Sequence, residues 1–256
     1  MSRITLKFNQ LKKTGRKALI PYIMSGDPSL SATKKYVLEL EDAGADMIEL
    51  GVPFSDPLAD GPTIQRASER SLKHGTTLKK VLGMVKEIRI KTDIPLLLMT
   101  YYNPVFKFGI DRFIRAAVTA GVDGVIIPDL IPDEAGEFMA ISRRQGLETV
   151  FLLAPTSTRD RIRKVSGAST GFIYYVSITG ITGAKLSLGK GMESTLNVLK
   201  AVTKKPVAVG FGISKPAEAR MVSKLADGVI IGSAIVKLIA QRKSITHFIK
   251  SIRNAI

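Results

Sequence analysis

Ala18-Leu19-Ile20-Pro21-Tyr22-Ile23-Met24-Ser25-Gly26-Asp27-Pro28 is an apolar run that ends in a polar turn. Seven more short runs rich in Val, Ile and Leu follow it: Met47–Leu50, Pro95–Met99, Gly124–Ile127, Thr149–Leu153, Phe172–Val176, Val207–Gly210 and Gly228–Ile231. Between them lie segments of helical periodicity, such as Leu30–Ala43, Thr77–Thr92, Ile110–Ala120, Pro132–Gln145, Met192–Thr203 and Lys215–Leu225, and a helical tail around Ser244–Asn254 closes the chain. Strand-length runs alternating with longer amphipathic segments mark βα units that feed a parallel sheet. An open doubly wound sheet and a closed barrel share that pattern. The open sheet often carries a glycine-rich dinucleotide turn after its first strand, whereas Met24 runs straight into Ser25-Gly26-Asp27-Pro28. Eight units in 256 residues predict an α/β protein with a single (β/α)8 barrel domain over residues 1–256, ending in that helical tail.

Three helix-to-strand junctions resemble one another: Ala43-Gly44-Ala45-Asp46-Met47-Ile48, Ala120-Gly121-Val122-Asp123-Gly124-Val125 and Leu225-Ala226-Asp227-Gly228-Val229-Ile230. The glycine is expected to act as a left-handed C-cap, with the strand starting directly after the aspartate. Their irregular spacing makes this a reused architectural device rather than a solenoid repeat.

Composition narrows the chemistry. With no cysteine, disulfides and thiolates are excluded, and His74 and His247 alone are too few donors for an ordinary zinc site. An all-oxygen site for magnesium or calcium stays compatible. No run approaches the ~20 apolar residues of a membrane span, and Met1 to Lys17 mixes charged with apolar residues and has no signal-peptide core, so a soluble cytoplasmic protein is expected. The 38 Lys and Arg against 22 Asp and Glu give a net charge of +16, which raises a nucleic-acid reading. The basic residues are spread along the chain (Lys12, Lys13, Lys34, Lys35, Lys79, Lys80, Arg161, Arg163, Lys204, Lys205, Arg242, Lys243) in stretches that read as helix exteriors. Solvated helix faces, not a polyanion site, are therefore expected.

In a parallel barrel the reactive groups collect at the C-terminal ends of the strands and in the loops beyond them. The second such place reads Ile48-Glu49-Leu50-Gly51-Val52-Pro53-Phe54-Ser55-Asp56-Pro57-Leu58-Ala59-Asp60-Gly61-Pro62. A carboxylate inside a short apolar strand loses hydration unless it is paired, and burial raises its pKa toward values useful in proton transfer. Glu49 is thus a candidate acid/base, the alternative being a strand-end glutamate in a structural ion pair. Asp56 and Asp60 lie in a proline-stiffened loop that could aim a carboxylate over the mouth, although aspartate in such a loop is also ordinary turn chemistry.

Three glycine-bearing loops, Val209-Gly210-Phe211-Gly212-Ile213-Ser214, Ile231-Gly232-Ser233-Ala234 and Thr179-Gly180-Ile181-Thr182-Gly183, suit backbone N–H groups closing on a phosphate. A phosphorylated small molecule is the expected ligand. None of the eight runs ends in a lysine that could form a Schiff base. What remains is carboxylate proton transfer on a substrate that supplies its own electron sink.

The string Glu49 to Gln65 resembles the signature of the tryptophan synthase alpha subunit family. The likeness extends through Ser25-Gly26-Asp27-Pro28, Tyr101-Tyr102-Asn103-Pro104, Gly180-Ile181-Thr182-Gly183, Gly210-Phe211-Gly212-Ile213 and Gly232-Ser233-Ala234-Ile235-Val236. The resemblance implies cleavage of indole-3-glycerol phosphate to indole and glyceraldehyde 3-phosphate. It implies Glu49 as general acid/base and Asp60 as acceptor of the indole N–H bond. Tyr22 and Tyr101 would wall the indole pocket, Tyr174 would lie near Glu49, and Gly183, Gly212, Gly232 and Ser233 would hold the phosphate. It further implies no cofactor in this subunit, a beta subunit carrying pyridoxal phosphate, an alpha2beta2 heterotetramer, and Asp56, Asn103 and Pro104 facing that partner. Two positions depart from the family. Ile178 stands where arginine is common and Tyr22 where phenylalanine is common, while Thr182, which closes over Asp60 in the family, is kept.

Overall fold

The computed structural model describes residues 1–176, 190–210 and 212–256. Among them nine strands form one parallel sheet: β1 (Ala18–Met24), β2 (Ile48–Gly51), β3 (Leu96–Met99), β4 (Gly124–Ile126), β5 (Glu148–Val150), β6 (Leu152–Leu153), β7 (Ile173–Val176), β8 (Val207–Gly210) and β9 (Gly228–Ile231). The order β5-β4-β3-β2-β1-β9-β8-β7-β6 brings the two halves of the fifth apolar run to opposite ends of the sheet. That run is divided at Phe151, which separates β5, paired with β4, from β6, paired with β7. The ring of an eight-unit barrel closes through this one broken segment. Nine strands replace the eight expected because one run is counted twice.

The side chains separate into two clusters by strand parity, as barrel closure requires. On β1, Ala18, Ile20, Tyr22 and Met24 point inward with Met47, Leu97, Met99, Ile126, Val150, Phe172, Tyr174, Ala208 and Ile230. Leu19 and Ile23 point outward to the helices.

The outer layer is built from α2 (Leu30–Asp42), α3 (Pro62–Lys73), α4 (Leu78–Arg89), α5 (Tyr102–Phe108), α6 (Ile110–Ala120), α7 (Gly136–Gln145), α8 (Arg159–Ala168), α9 (Lys190–Val202), α10 (Pro216–Ser223), α11 (Ser233–Ala240) and α12 (Thr246–Arg253). An N-terminal helix, α1 (Arg3–Lys13), instead contributes Ile4, Phe8 and Leu11 to the inner cluster, with the Phe8 and Phe172 ring centres 5.6 Å apart. It stoppers the end of the barrel opposite the catalytic loops.

The three similar junctions share a function. Asp46, Asp123 and Asp227 each donate a backbone N–H to the carbonyl of Leu19, Leu96 and Val207, at 2.9, 2.9 and 2.8 Å. Each carboxylate then accepts the N–H of that same residue, at 2.9, 2.8 and 3.0 Å. A cationic side chain, Arg253, Arg89 or Lys17, completes each unit. Gly44 and Gly121 adopt positive φ, as expected for C-cap positions. The third junction corrects that expectation. Gly228 lies inside β9, and α10 ends with Lys224 in the right-handed region, so no left-handed cap is used there.

Candidate active site

Glu49 is the second residue of β2, in register with Tyr22 of β1 and Leu97 of β3, both of which face the barrel interior. Its flanking residues Ile48 and Leu50 face the helices, so the period-2 alternation of a strand sends Glu49 inward. The side chain is 1% exposed, and neither carboxylate oxygen has a hydrogen-bond partner among the described residues. An unpaired ionised carboxylate is strongly disfavoured there. Burial first, and the nearby Asp60 charge second, push the Glu49 pKa up to about 8. Among the described residues no ion pair holds Glu49, as the structural alternative raised by the sequence would require.

Two tyrosines flank it. Tyr22 and Tyr174 are each 5% exposed, and burial together with the Glu49 and Asp60 charges raises both phenols. Each ring leans over a glycine on the next strand. A Cβ at Gly51 would fall 2.0 Å from the Tyr22 hydroxyl, and one at Gly210 would fall 2.4 Å from the Tyr174 hydroxyl. Side chains at these two positions would displace the tyrosines that wall the Glu49 pocket.

Asp60 arrives from the loop between β2 and α3 and is half-buried. Tyr101 holds it from the β3 side, its hydroxyl hydrogen-bonding the Asp60 carboxylate and accepting the Ala59 N–H at 3.0 Å. Tyr101 is itself placed by α5, whose first N–H, from Tyr102, is accepted by Asp129 at 2.9 Å. Burial raises the Asp60 pKa to about 6, and the Tyr101 hydrogen bond works against that rise. The two acids are thus separated in pKa, the pattern of a donor and an anion sharing one site.

Across the mouth, Gly232 is the N-cap of α11, and Ser233 is its first residue. Among the described residues no side chain caps this helix, so its first N–H groups and positive dipole end face the mouth as an anion site would. Gly232 also lies against Tyr22, where an added Cβ would sit 3.4 Å from the ring. One wall therefore belongs to both the acid pocket and the anion cradle. Gly212 has φ +77, in the region that favours glycine. Thr182 and Gly183, and with them Ile178, lie outside the described residues.

Asp56 and Asn103 are exposed and Pro104 is half-buried. Asp56 lines a groove of about 500 Å³ between residues 54–58 and the α3 side chains Gln65, Glu69, Leu72 and Lys73. The groove is on the α3 side of the loop, and neither Glu49 nor Asp60 lines it. Leu58, which also lines it, is 85% exposed, and Phe106 of α5, next to Asn103 and Pro104, is 64% exposed. Gln65, Ser68 and Phe106 carry no functional signal in the sequence. Their positions on α3 and α5 matter only once those helices are packed beside the loop.

A family model described as "Tryptophan synthase alpha chain" matches residues 8–254. The chain belongs to the tryptophan synthase alpha chain family. A tryptophan synthase alpha chain of Geotalea uraniireducens is 56% identical over 238 residues, covering 93% of this chain and 89% of that one. That of Geotalea daltonii is 54% identical over 241 residues, covering 94% and 91%. The crystal structure of tryptophan synthase subunit alpha from Legionella pneumophila superposes with a TM-score of 0.91 at 37% identity, covering 100% of this chain and 98% of that one. The chain therefore has the alpha-subunit role in tryptophan biosynthesis, as a lyase of the tryptophan synthase complex. A tryptophan synthase alpha chain implies a beta-subunit partner. Among the described residues no helix is long and apolar enough to cross a membrane.

Proposed function

We propose that the chain, acting as one barrel domain over residues 1–256, cleaves indole-3-glycerol phosphate to indole and glyceraldehyde 3-phosphate with Glu49 as the acid/base. The observation that carries this reading is the Glu49 carboxyl, buried inside the barrel without a hydrogen-bond partner among the described residues and raised to about 8. Near neutral pH such a group still holds its proton, as a general acid must.

Glu49 gives that proton to indole C3, and the ring becomes an indolenine whose cationic nitrogen is the electron sink. The glycerol hydroxyl on the adjacent carbon then returns a proton to the Glu49 carboxylate. The C3–C bond breaks as that oxygen becomes a carbonyl, and its electron pair restores the indole. Asp60, ionised above about pH 6, accepts the indole N–H and stabilises the positive charge, an interaction strengthened where water is scarce. Tyr22, Tyr101 and Tyr174 wall the ring. The backbone at Gly212, Gly232 and Ser233 binds the phosphate, and family likeness assigns Gly183 to the same site and Thr182 to closure over Asp60. None of these steps calls on a cofactor in this subunit.

The same family reading puts pyridoxal phosphate in the beta subunit, where it supplies the chemistry that joins indole to serine. It gives an alpha2beta2 assembly in the cytoplasm, with Asp56, Asn103 and Pro104 facing the partner. The exposed Leu58 and Phe106 beside those residues support an apolar contact there.

The decisive experiment is indole release from indole-3-glycerol phosphate, with and without a beta subunit. Glu49→Gln should lower the rate on the order of 10²-fold or more. Near-normal turnover by that variant would remove Glu49 from the chemistry.

A further inference from the structure

The Asp60 loop is held from behind by α3. Gln65 Nε2 donates to the Asp60 carbonyl oxygen at 2.8 Å. Ser68 Oγ accepts the Phe54 N–H at 2.9 Å and donates back to the Phe54 carbonyl at 2.9 Å, so one hydroxyl clasps both backbone groups at the loop's entry. The helix is in turn fixed to the turn after β1. Arg70 grips the buried Asp27 through two hydrogen bonds of 2.8 and 2.7 Å, and Ser71 Oγ donates to the Ser25 carbonyl at 2.6 Å. Between its two clasped ends the loop is open to solvent, with Asp56, Leu58 and Ala59 all exposed. Tyr101 holds it from the barrel side.

We propose that Gln65 is a positioning residue for the lyase reaction. Its amide fixes the peptide from which the Asp60 carboxylate reaches the indole ring, and Ser68 secures the opposite end of the same loop. Gln65 lines the groove on the α3 side rather than the mouth, so it acts through Asp60 and not on substrate. The proposal rests on the assignment of Asp60 made above. Its physical basis is that displacing a catalytic group by about 1 Å costs on the order of 10²-fold in rate, while groups that bind phosphate elsewhere are untouched.

The test is Gln65→Met, which keeps the length of the side chain and removes the donor, beside Asp60→Asn and the double variant. For Gln65→Met, kcat for indole release should fall about ten- to a hundredfold, with KM for indole-3-glycerol phosphate within about twofold of the unaltered chain and an unchanged melting temperature. The double variant should be no slower than Asp60→Asn alone, because residues acting as a unit are not additive. Full kcat in Gln65→Met beside a slow Asp60→Asn overturns this proposal and leaves the Asp60 reading intact. Losses that multiply in the double variant overturn it as well, since they mark general damage to the loop. Undiminished turnover by Asp60→Asn overturns the Asp60 reading and this proposal together. Should Gln65→Met fold poorly, Ser68→Ala carries the same comparison from the other end of the loop.

Discussion

A carboxyl raised to about 8 binds its proton more tightly in the folded chain than in the unfolded one, where glutamate titrates near its ordinary value of about 4.3. Between those two values the unfolded state has lost the proton and the native state has kept it. Native stability therefore falls as pH rises through that window and levels off above about 8. Glu49→Gln has no proton to lose. It should be more stable than the unaltered chain at pH 8 and comparable at pH 4.5, which denaturant melts at the two pH values will measure; an equal gap at both would contradict an elevated Glu49 pKa. Activity should respond in two limbs. It rises as Asp60 ionises near pH 6 and falls as Glu49 loses its proton near pH 8. The lower limb should weaken in Asp60→Asn, and its survival unaltered would assign it to the substrate phosphate instead. Glu49 was legible from sequence because a charge within a short apolar strand is conspicuous. The hold of Tyr101 on Asp60 was not, since the two residues belong to different loops and meet only when β2 and β3 pair.

Most strands and the longer outer helices are legible because their apolar periodicity continues for several turns or fills a run between polar breaks. Five helices escape that reading for separate reasons. α3 buries Ala67, Ser68 and Ser71, small and hydroxyl-bearing residues that leave no apolar stripe. α8 carries five charged residues in ten, and α5 is only seven residues long. α11 is apolar nearly throughout, so periodicity cannot tell it from a buried strand. In α1, Ile4, Phe8 and Leu11 have helical spacing but are diluted by lysines. The aspartate junctions, in contrast, are visible in sequence as repeats, and only the structure reveals what they bind. Asp123 is the most heavily engaged, with Arg89 at 2.8 Å, Arg3 at 3.2 Å and the Leu96 N–H at 2.8 Å. Burial still holds its carboxyl above the ordinary value, so desolvation outweighs both guanidinium groups. Removing it takes the carboxylate from a half-buried Arg89 and the acceptor from the buried Leu96 N–H. Asp123→Ala should destabilise the fold by about 3 to 5 kcal/mol, read as a lowered denaturation midpoint, with kcat per folded molecule little changed because the junction lies at the end of the barrel away from Glu49. A loss of kcat without a loss of stability would contradict that separation.

The net charge of +16 belongs to the whole molecule, and the fold explains how it is distributed. Several cations are committed to internal work. Arg70 binds Asp27, Arg89 binds Asp123 and the Gly121 carbonyl, Arg253 binds Asp46 and the Lys17 carbonyl, and Lys205 bonds the Ser166 and Ser169 carbonyls. Exposed ones such as Lys12, Lys13, Lys35, Lys79, Lys80, Arg163, Lys204, Arg242 and Lys243 sit on or at the ends of α1, α2, α4, α8, α9 and α11. These elements lie around the barrel and, in α1, across its closed end, instead of meeting along one face. A duplex follows one face of a protein and gains its affinity by releasing a counterion for each phosphate that a cation neutralises. A ring of separated cations can present only a few of them to any one duplex. The chain should therefore show weak retention of double-stranded DNA at low salt and none at about 0.15 M, where a protein contacting six or more phosphates still binds. Tight binding at that salt, with a slope of log affinity on log salt steeper than about −5, would mean that the cations converge on a polyanion site after all. The charge would then need a role of its own beside the lyase.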